Sequence, residues 1–265
     1  MYSPFQLAKK YIHYRLISSN GKGHGVHSPF VFNFIKNVLR DTNQYECYPV
    51  IEKERKRLLQ DNTVIEIEDF GAGSTILKSN TRVVKKIAAS SLKSSKFAQL
   101  LYRIVQYYQP AIVLELGTSL GITSAYLASA NKAGKIYTCE GSAAIAAIAK
   151  NTFSNVQINN IEIVQGDFAK TLQPLLLNIN TVNVGFIDGN HRKEPTLQYF
   201  YQLLKHSTAA TILIFDDIHW SEEMEAAWQQ IQQHAAVTLT IDLFFIGLVF
   251  INPDFKVKQH FIIKF

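Results

Sequence analysis

The stretch Ala111 to Ala130, AIVLELGTSLGITSAYLASA, admits few folds. Ile112, Val113, Leu114 and Leu116 form an apolar run too short and too β-branched for a helix, which reads as a buried parallel strand. The run breaks at Gly117 and Gly121 and resumes as a helical segment from Thr123 to Ser129. A strand, a tight glycine turn and a helix let backbone N–H groups approach a polar ligand closely, because glycine has no Cβ to hold it off. Glu140 ends the next apolar strand, Lys135 to Cys139, about 20 residues on, where an acid would hold a ribose diol. The ligand this spacing suggests is a nucleotide-like cofactor. Two glycines are fewer than the three of the dinucleotide fingerprint, so a plain strand-to-helix turn is the competing reading.

The rest of the chain decides between them. Strands are predicted over 111–116, 135–139, 161–165, 182–187 and 210–215, alternating with helices over 122–131, 142–153, 168–177, 194–205 and 221–234. Such alternation demands a parallel sheet with helices on both faces. Three further strands, over 237–241, 244–251 and 259–265, end the chain without an intervening helix and suggest an antiparallel pair at the sheet edge. An amphipathic helix with its apolar stripe at Phe97, Leu100, Leu101, Ile104 and Val105 precedes the first strand of the alternation and stops before Pro110.

In open sheets of this kind ligands bind beyond the carboxyl ends of the strands. Acids recur there: Glu115, Glu140, Asp167, Asp188, and Asp216 with Asp217. Five successive strand ends carrying a carboxylate point to a shared cleft, because such groups cost solvation energy unless they bind something.

Residues 86–265 resemble a class I S-adenosylmethionine-dependent methyltransferase, most closely the catechol and caffeoyl-CoA O-methyltransferase type. The segments that carry the resemblance are ELGTSLGITSAYLA, YTCE, VQGDF, FIDGNH and IFDDIHW, in the family's order and spacing. It implies a doubly wound, Rossmann-like, mostly parallel seven-stranded α/β sheet with an antiparallel C-terminal edge. Residues 81–265 would form that domain and residues 1–80 a basic, mostly helical cap. By resemblance, Glu115, Gly117, Thr118, Ser119, Gly121 and Thr123 line the methionine and ribose part of S-adenosyl-L-methionine. Glu140 would take the ribose hydroxyls, Asp167 the adenine amino group, and Phe168 the face of the ring. Asp188, Asp216 and Asp217 match the family's divalent metal triad, with Asp217 standing where asparagine is usual. Mg2+ is the ion implied. Asp188 on the cofactor side, with the aspartate pair a charged loop, is the alternative.

His191 stands where the catechol-type enzymes place a catalytic lysine. It could accept the acceptor's proton or support Asp188 from behind. His219 is a weaker candidate, and Trp220 reads as pocket wall or core. No Asn/Asp-Pro-Pro-Tyr run follows the fourth strand, which argues against methylation of exocyclic base nitrogens and favours oxygen as acceptor. The partner implied is a small hydroxylated molecule. RNA or protein methylation, and a non-catalytic cofactor-binding module, are the other readings.

Charge bears on the first of these. The formal net charge is +6, and residues 1–60 hold ten Lys or Arg against four Asp or Glu. A basic segment of this kind could meet nucleic acid, an anionic membrane surface or an acidic substrate, or be only a solvated helix face. The first helix is predicted over residues 4–17, and Ser28-Pro29 starts a second. His24 and His27 flank that start and read as loop residues. Residues 51–60 read as a charged helix and 63–67 as a strand leading to a second glycine pair, Asp69 to Ser74, read as a turn. Aromatic-rich helices near the N-terminus and the β ending offer apolar surface for a homodimer. No run reaches the roughly 18 to 20 apolar residues that span a bilayer, and no signal peptide is recognisable, so a cytoplasmic location is expected. Two cysteines, Cys47 and Cys139, are too few for a disulfide framework.

Overall fold

The computed structural model describes residues 1–19, 21, 23, 27–67 and 81–265. His24 and the Asp69 to Ser74 glycine pair lie outside the described residues. Ten strands and ten α-helices are seen among those described. Eight of the strands belong to one mostly parallel sheet. This is the α/β class expected, with one strand more than the resemblance implies. The chain falls into two compact units, Thr42–Ile179 and Met1–Asp41 with Asn180–Phe265.

In Thr42–Ile179, strands β3 (Ile112–Leu116), β4 (Lys135–Glu140) and β5 (Ile161–Gln165) run parallel in that order. Val113, Leu114 and Leu116 are buried on both faces of β3, as a covered parallel strand requires. Each such side chain contributes about 1.5–3 kcal/mol by leaving water. Helices α6 (Ile122–Ala130), α7 (Ala143–Asn155) and α8 (Phe168–Ile179) follow the strands in turn. Helix α5 (Ser95–Tyr108) buries Leu100, Leu101, Ile104 and Val105 and ends at Gln109, whose left-handed backbone (φ 46°) closes it before Pro110.

The charged run near residue 50 is helix α3 (Cys47–Leu58). It begins four residues earlier than its polar stretch suggests, because Tyr48 packs edge-on against Tyr102 and Tyr126. Glu52 on this helix accepts the Tyr126 hydroxyl at 2.8 Å. Strands β1 (Val64–Glu66) and β2 (Thr81–Val83) pair antiparallel, and helix α4 (Val84–Ser91) follows.

In the other unit the strand order is β10 (Gln259–Ile262), β8 (Leu239–Asp242), β9 (Ile246–Phe250), β7 (Ser207–Asp216), β6 (Val182–Ile187). The expected antiparallel element is β9, which runs against both β7 and β8. Strand β10 is the additional one: it pairs parallel to β8, Gln259 opposite Leu239, and covers its outer edge. Helices α9 (Lys193–Lys205) and α10 (Glu222–Gln233) connect the strands. The two N-terminal helices of this unit are α1 (Pro4–Ile17), capped by a Ser3–Gln6 box, and α2 (Pro29–Phe34), capped by Ser28. Residues Ile35–Leu39 continue α2 as a π-helical turn.

Candidate active site

After β3 the chain turns sharply, with Gly117 (φ 107°), Ser119 (φ 48°) and Gly121 (φ 83°) all left-handed within five residues. The N–H groups of Gly117 and Thr118 both donate to the Cys139 carbonyl, at 3.0 and 3.1 Å, and tie the turn to β4. Gly121 then caps α6. A Cβ there would lie 2.7 Å from the Phe153 ring and 3.2 Å from Ala149. The glycine is therefore explained by the closeness of α7 as well as by its backbone angle.

Beneath the turn Glu115 is fully buried, its Oε2 accepting the Ser124 hydroxyl and the Thr138 hydroxyl, the latter at 2.6 Å. Thr138 and Thr118 share a further 2.6 Å bond. Glu115 thus holds the turn in shape through a buried chain of hydroxyls. Thr138 and Ser124 have no motif to mark them, and only the alternation along β4 and the helix period of α6 could have placed them inward. Thr123 is buried in the first turn of α6.

Glu140, at the tip of β4, accepts the Ser119 N–H at 2.9 Å through one carboxylate oxygen and the Ser142 N–H at 3.0 Å through the other. Burial raises its pKa, opposed by these backbone donors. The Glu140 carbonyl in turn accepts Gly166 N–H at 2.9 Å. That bond fixes the start of the loop carrying Asp167, whose Oδ1 accepts Ala169 N–H at 3.0 Å and caps α8 at Phe168. Gly117 to Thr123, Glu115 and Glu140 are thus brought together by hydrogen bonds, and Asp167 lies one strand further on.

The second cluster belongs to the other unit. Asp188 follows β6, Asp216 ends β7, and ligand atoms of Asp188, His191 and Asp216 lie within 4.8 Å of one another. Asp216 is almost fully buried, while Asp188 and His191 are partly buried. His191 Nε2 is 3.5 Å from Asp188 Oδ1. Asn190 (φ 68°) and His191 (φ 24°) both hold left-handed backbone, a conformation that asparagine and histidine adopt more readily than other side-chain-bearing residues. Here Asn190 is held by the Tyr199 hydroxyl at 3.2 Å and by Arg192 at 3.0 Å. Two carboxylates and an imidazole form a donor set that suits a divalent cation. Asp217 is outside this set: its φ of 53° turns the chain after β7, and its N–H donates to the Phe245 carbonyl at 2.7 Å.

His219 stands in a different constellation, its ring between Glu225 (3.0 Å) and Asp242 (2.8 Å). Burial lowers its pKa, but the two carboxylates outweigh it and the net shift is upward. This bracket was not read from sequence, since Asp242 ends the unremarkable strand LTID. The Trp220 carbonyl accepts Tyr2 N–H at 3.1 Å, and His27 is exposed.

Residues 114–218 match a family model described as a methyltransferase domain. No curated protein sequence matches the chain. Among solved structures, the O-methyltransferase from Bacillus cereus in complex with SAH is 18% identical, covers 83% of this chain and 97% of its own, and has a TM-score of 0.56. TomG, an O-methyltransferase from Streptomyces achromogenes involved in tomaymycin synthesis and solved with SAM, is 15% identical over 82% of this chain and 95% of its own, at TM-score 0.56. The SAH-bound methyltransferase from Podospora anserina is 10% identical over 95% and 97%, at TM-score 0.59. Residues 114–218 are thus similar to a methyltransferase domain, and the chain shares its α/β fold with these solved methyltransferases.

Proposed function

We propose that this protein is an S-adenosylmethionine-dependent O-methyltransferase acting on a small hydroxylated acceptor. The observation that carries the reading is the turn from Gly117 to Gly121, bonded to Glu140 through Ser119. Backbone N–H groups at the start of α6 suit the donor's polar methionine end, and the Glu140 carboxylate suits a ribose diol, which needs acceptors on both hydroxyls. Asp167 and Phe168, at the head of α8, are the proposed adenine contacts.

Transfer moves the methyl carbon from the sulfonium to the acceptor oxygen. The C–S bond breaks, a C–O bond forms, and the acceptor's hydroxyl proton must leave, giving S-adenosylhomocysteine and a methyl ether. Asp188, His191 and Asp216 are the residues proposed to orient the acceptor and manage that proton. A bound divalent cation would lower the hydroxyl's pKa. Asp188, Asp216 and His191 fit such an ion by donor type, and the imidazole makes Mn2+ as suitable as Mg2+. Asp217 would add negative charge beside them. In the absence of an ion His191 is the group to take the proton.

The test is methyl transfer to a catechol from labelled donor, before and after chelation. Loss of activity on chelation, restored by Mn2+ or Mg2+ and absent in Asp188→Ala, is the expected result. Full activity after chelation removes the metal. No transfer to any hydroxylated acceptor, in protein that binds S-adenosylhomocysteine, removes the O-methyltransferase assignment.

A further inference from the structure

Among the described residues, helix α1 makes its polar and ring contacts on one side. Toward its own unit it is anchored by Tyr2, whose hydroxyl donates to Glu225 at 2.7 Å, by Lys10, whose Nζ reaches the same carboxylate at 2.9 Å, and by Tyr14, whose hydroxyl donates to the Ile263 carbonyl. The Tyr11 ring meets Phe244 edge-on at 5.0 Å. These contacts hold the helix in place whatever its outer side does.

The outer side is apolar. Phe5, Ile12 and Leu16 follow the spacing i, i+7, i+11, which puts them on one stripe of the helix. They are 81%, 60% and 79% exposed. From Phe5 to Leu16 the stripe is about 16 Å long. Lys9 flanks it on one side and Arg15 on the other, both exposed. The sequence around them is one-signed: residues 1–40 contain six Lys or Arg and no Asp or Glu.

We propose that α1 docks this protein on an anionic lipid bilayer. The helix lies in the interfacial plane, with Phe5, Ile12 and Leu16 at the acyl boundary and Lys9 and Arg15 on lipid phosphates. Charge selects this occupant. A contact of α1 with α1 of a second copy would set each basic helix against its like, with no acid in the first 40 residues to pair with it. A nucleic acid would satisfy the cations and leave the Phe5, Ile12 and Leu16 side chains without an apolar partner. An anionic surface with hydrocarbon beneath it matches both parts of the stripe, its apolar side chains and its flanking cations. Because the helix is already formed and anchored, docking carries no cost of folding it.

The experiment is cosedimentation of the full chain with phosphatidylcholine vesicles, with and without phosphatidylglycerol, over a salt series. The wild type is expected to pellet with the anionic vesicles at low salt and to be released as salt rises. Phe5→Ser with Leu16→Ser should lower the partition coefficient at least about tenfold. Lys9→Glu with Arg15→Glu should lower it about fivefold or more for each residue changed. All four side chains are exposed, so the variants keep the wild-type melting temperature, and that is checked alongside. Failure of the wild type to pellet with anionic vesicles overturns the proposal, as does equal partitioning of the variants. So does sedimentation of a dimer that the Phe5→Ser, Leu16→Ser variant dissociates without any vesicle binding, since the stripe then belongs to a second copy.

Discussion

The Thr138 hydroxyl donates to the buried Glu115 carboxylate at 2.6 Å, directly under the glycine turn. Glu115 is fully enclosed, so each donor lost leaves a polar oxygen that water cannot reach. Thr138→Val keeps the shape and removes the donor. It is expected to cost about 1–3 kcal/mol of unfolding free energy in urea. Thr138→Ser should recover most of that loss, and a Val variant as stable as wild type would contradict the role given to Glu115.

Gly121→Ala tests the turn from its other end. The added methyl meets the Phe153 ring at 2.7 Å on a backbone already at φ 83°. Both costs act together, and a loss of about 1–3 kcal/mol is expected by urea denaturation. Gly121→Ala combined with Phe153→Leu should recover part of it, because the clash with the ring is relieved while the 3.2 Å contact with Ala149 and the backbone share remain.

Stability should depend on pH through His219 and Glu225. The carboxylates of Asp242 and Glu225 bring the His219 folded pKa above its ordinary 6.5 despite burial. Its contribution is therefore complete below 6.5 and is lost as pH rises through the raised value, because the native state there binds the proton more tightly than the unfolded chain. Glu225, despite burial, is lowered from 4.5 by Tyr2, Lys10 and His219. Its contribution is complete above 4.5 and lost as pH falls through the lowered value. The cluster's combined contribution is greatest between these two ordinary values. Melting temperature against pH should fall on the alkaline side, and His219→Gln should flatten that fall. An unchanged slope in His219→Gln would contradict the bracket.

The strand and helix order from residue 111 onward was legible because each element has its own period and is punctuated by glycine, proline or an acid. Gly117, Gly121 and Glu140 were legible for the same reason: turns and strand tips announce themselves. Thr138, Ser124 and Asp242 were not, since a buried hydroxyl on a strand or a carboxylate after LTID looks like any other until its partner is in place. The start of α3 at Cys47 was not legible, because it is set by the packing of Tyr48 against Tyr102 and Tyr126 and not by the charged run that follows. Strand β10 was visible as a run, but nothing local says that it pairs parallel to β8. His191 was singled out by its position after Asp188, and the structure brings it within 4.8 Å of Asp188 and Asp216 in a set that does not include Asp217.

The central claim is that the turn after β3 and the Glu140 carboxylate together seat the methyl donor. Isothermal titration of S-adenosylhomocysteine into the wild type and into Glu140→Ala tests it most directly. Micromolar binding to the wild type, weakened about tenfold or more in the variant for loss of hydrogen bonds to a charged group, is the predicted result. No heat of binding to the folded wild type at millimolar ligand, or equal affinity in Glu140→Ala, would contradict it.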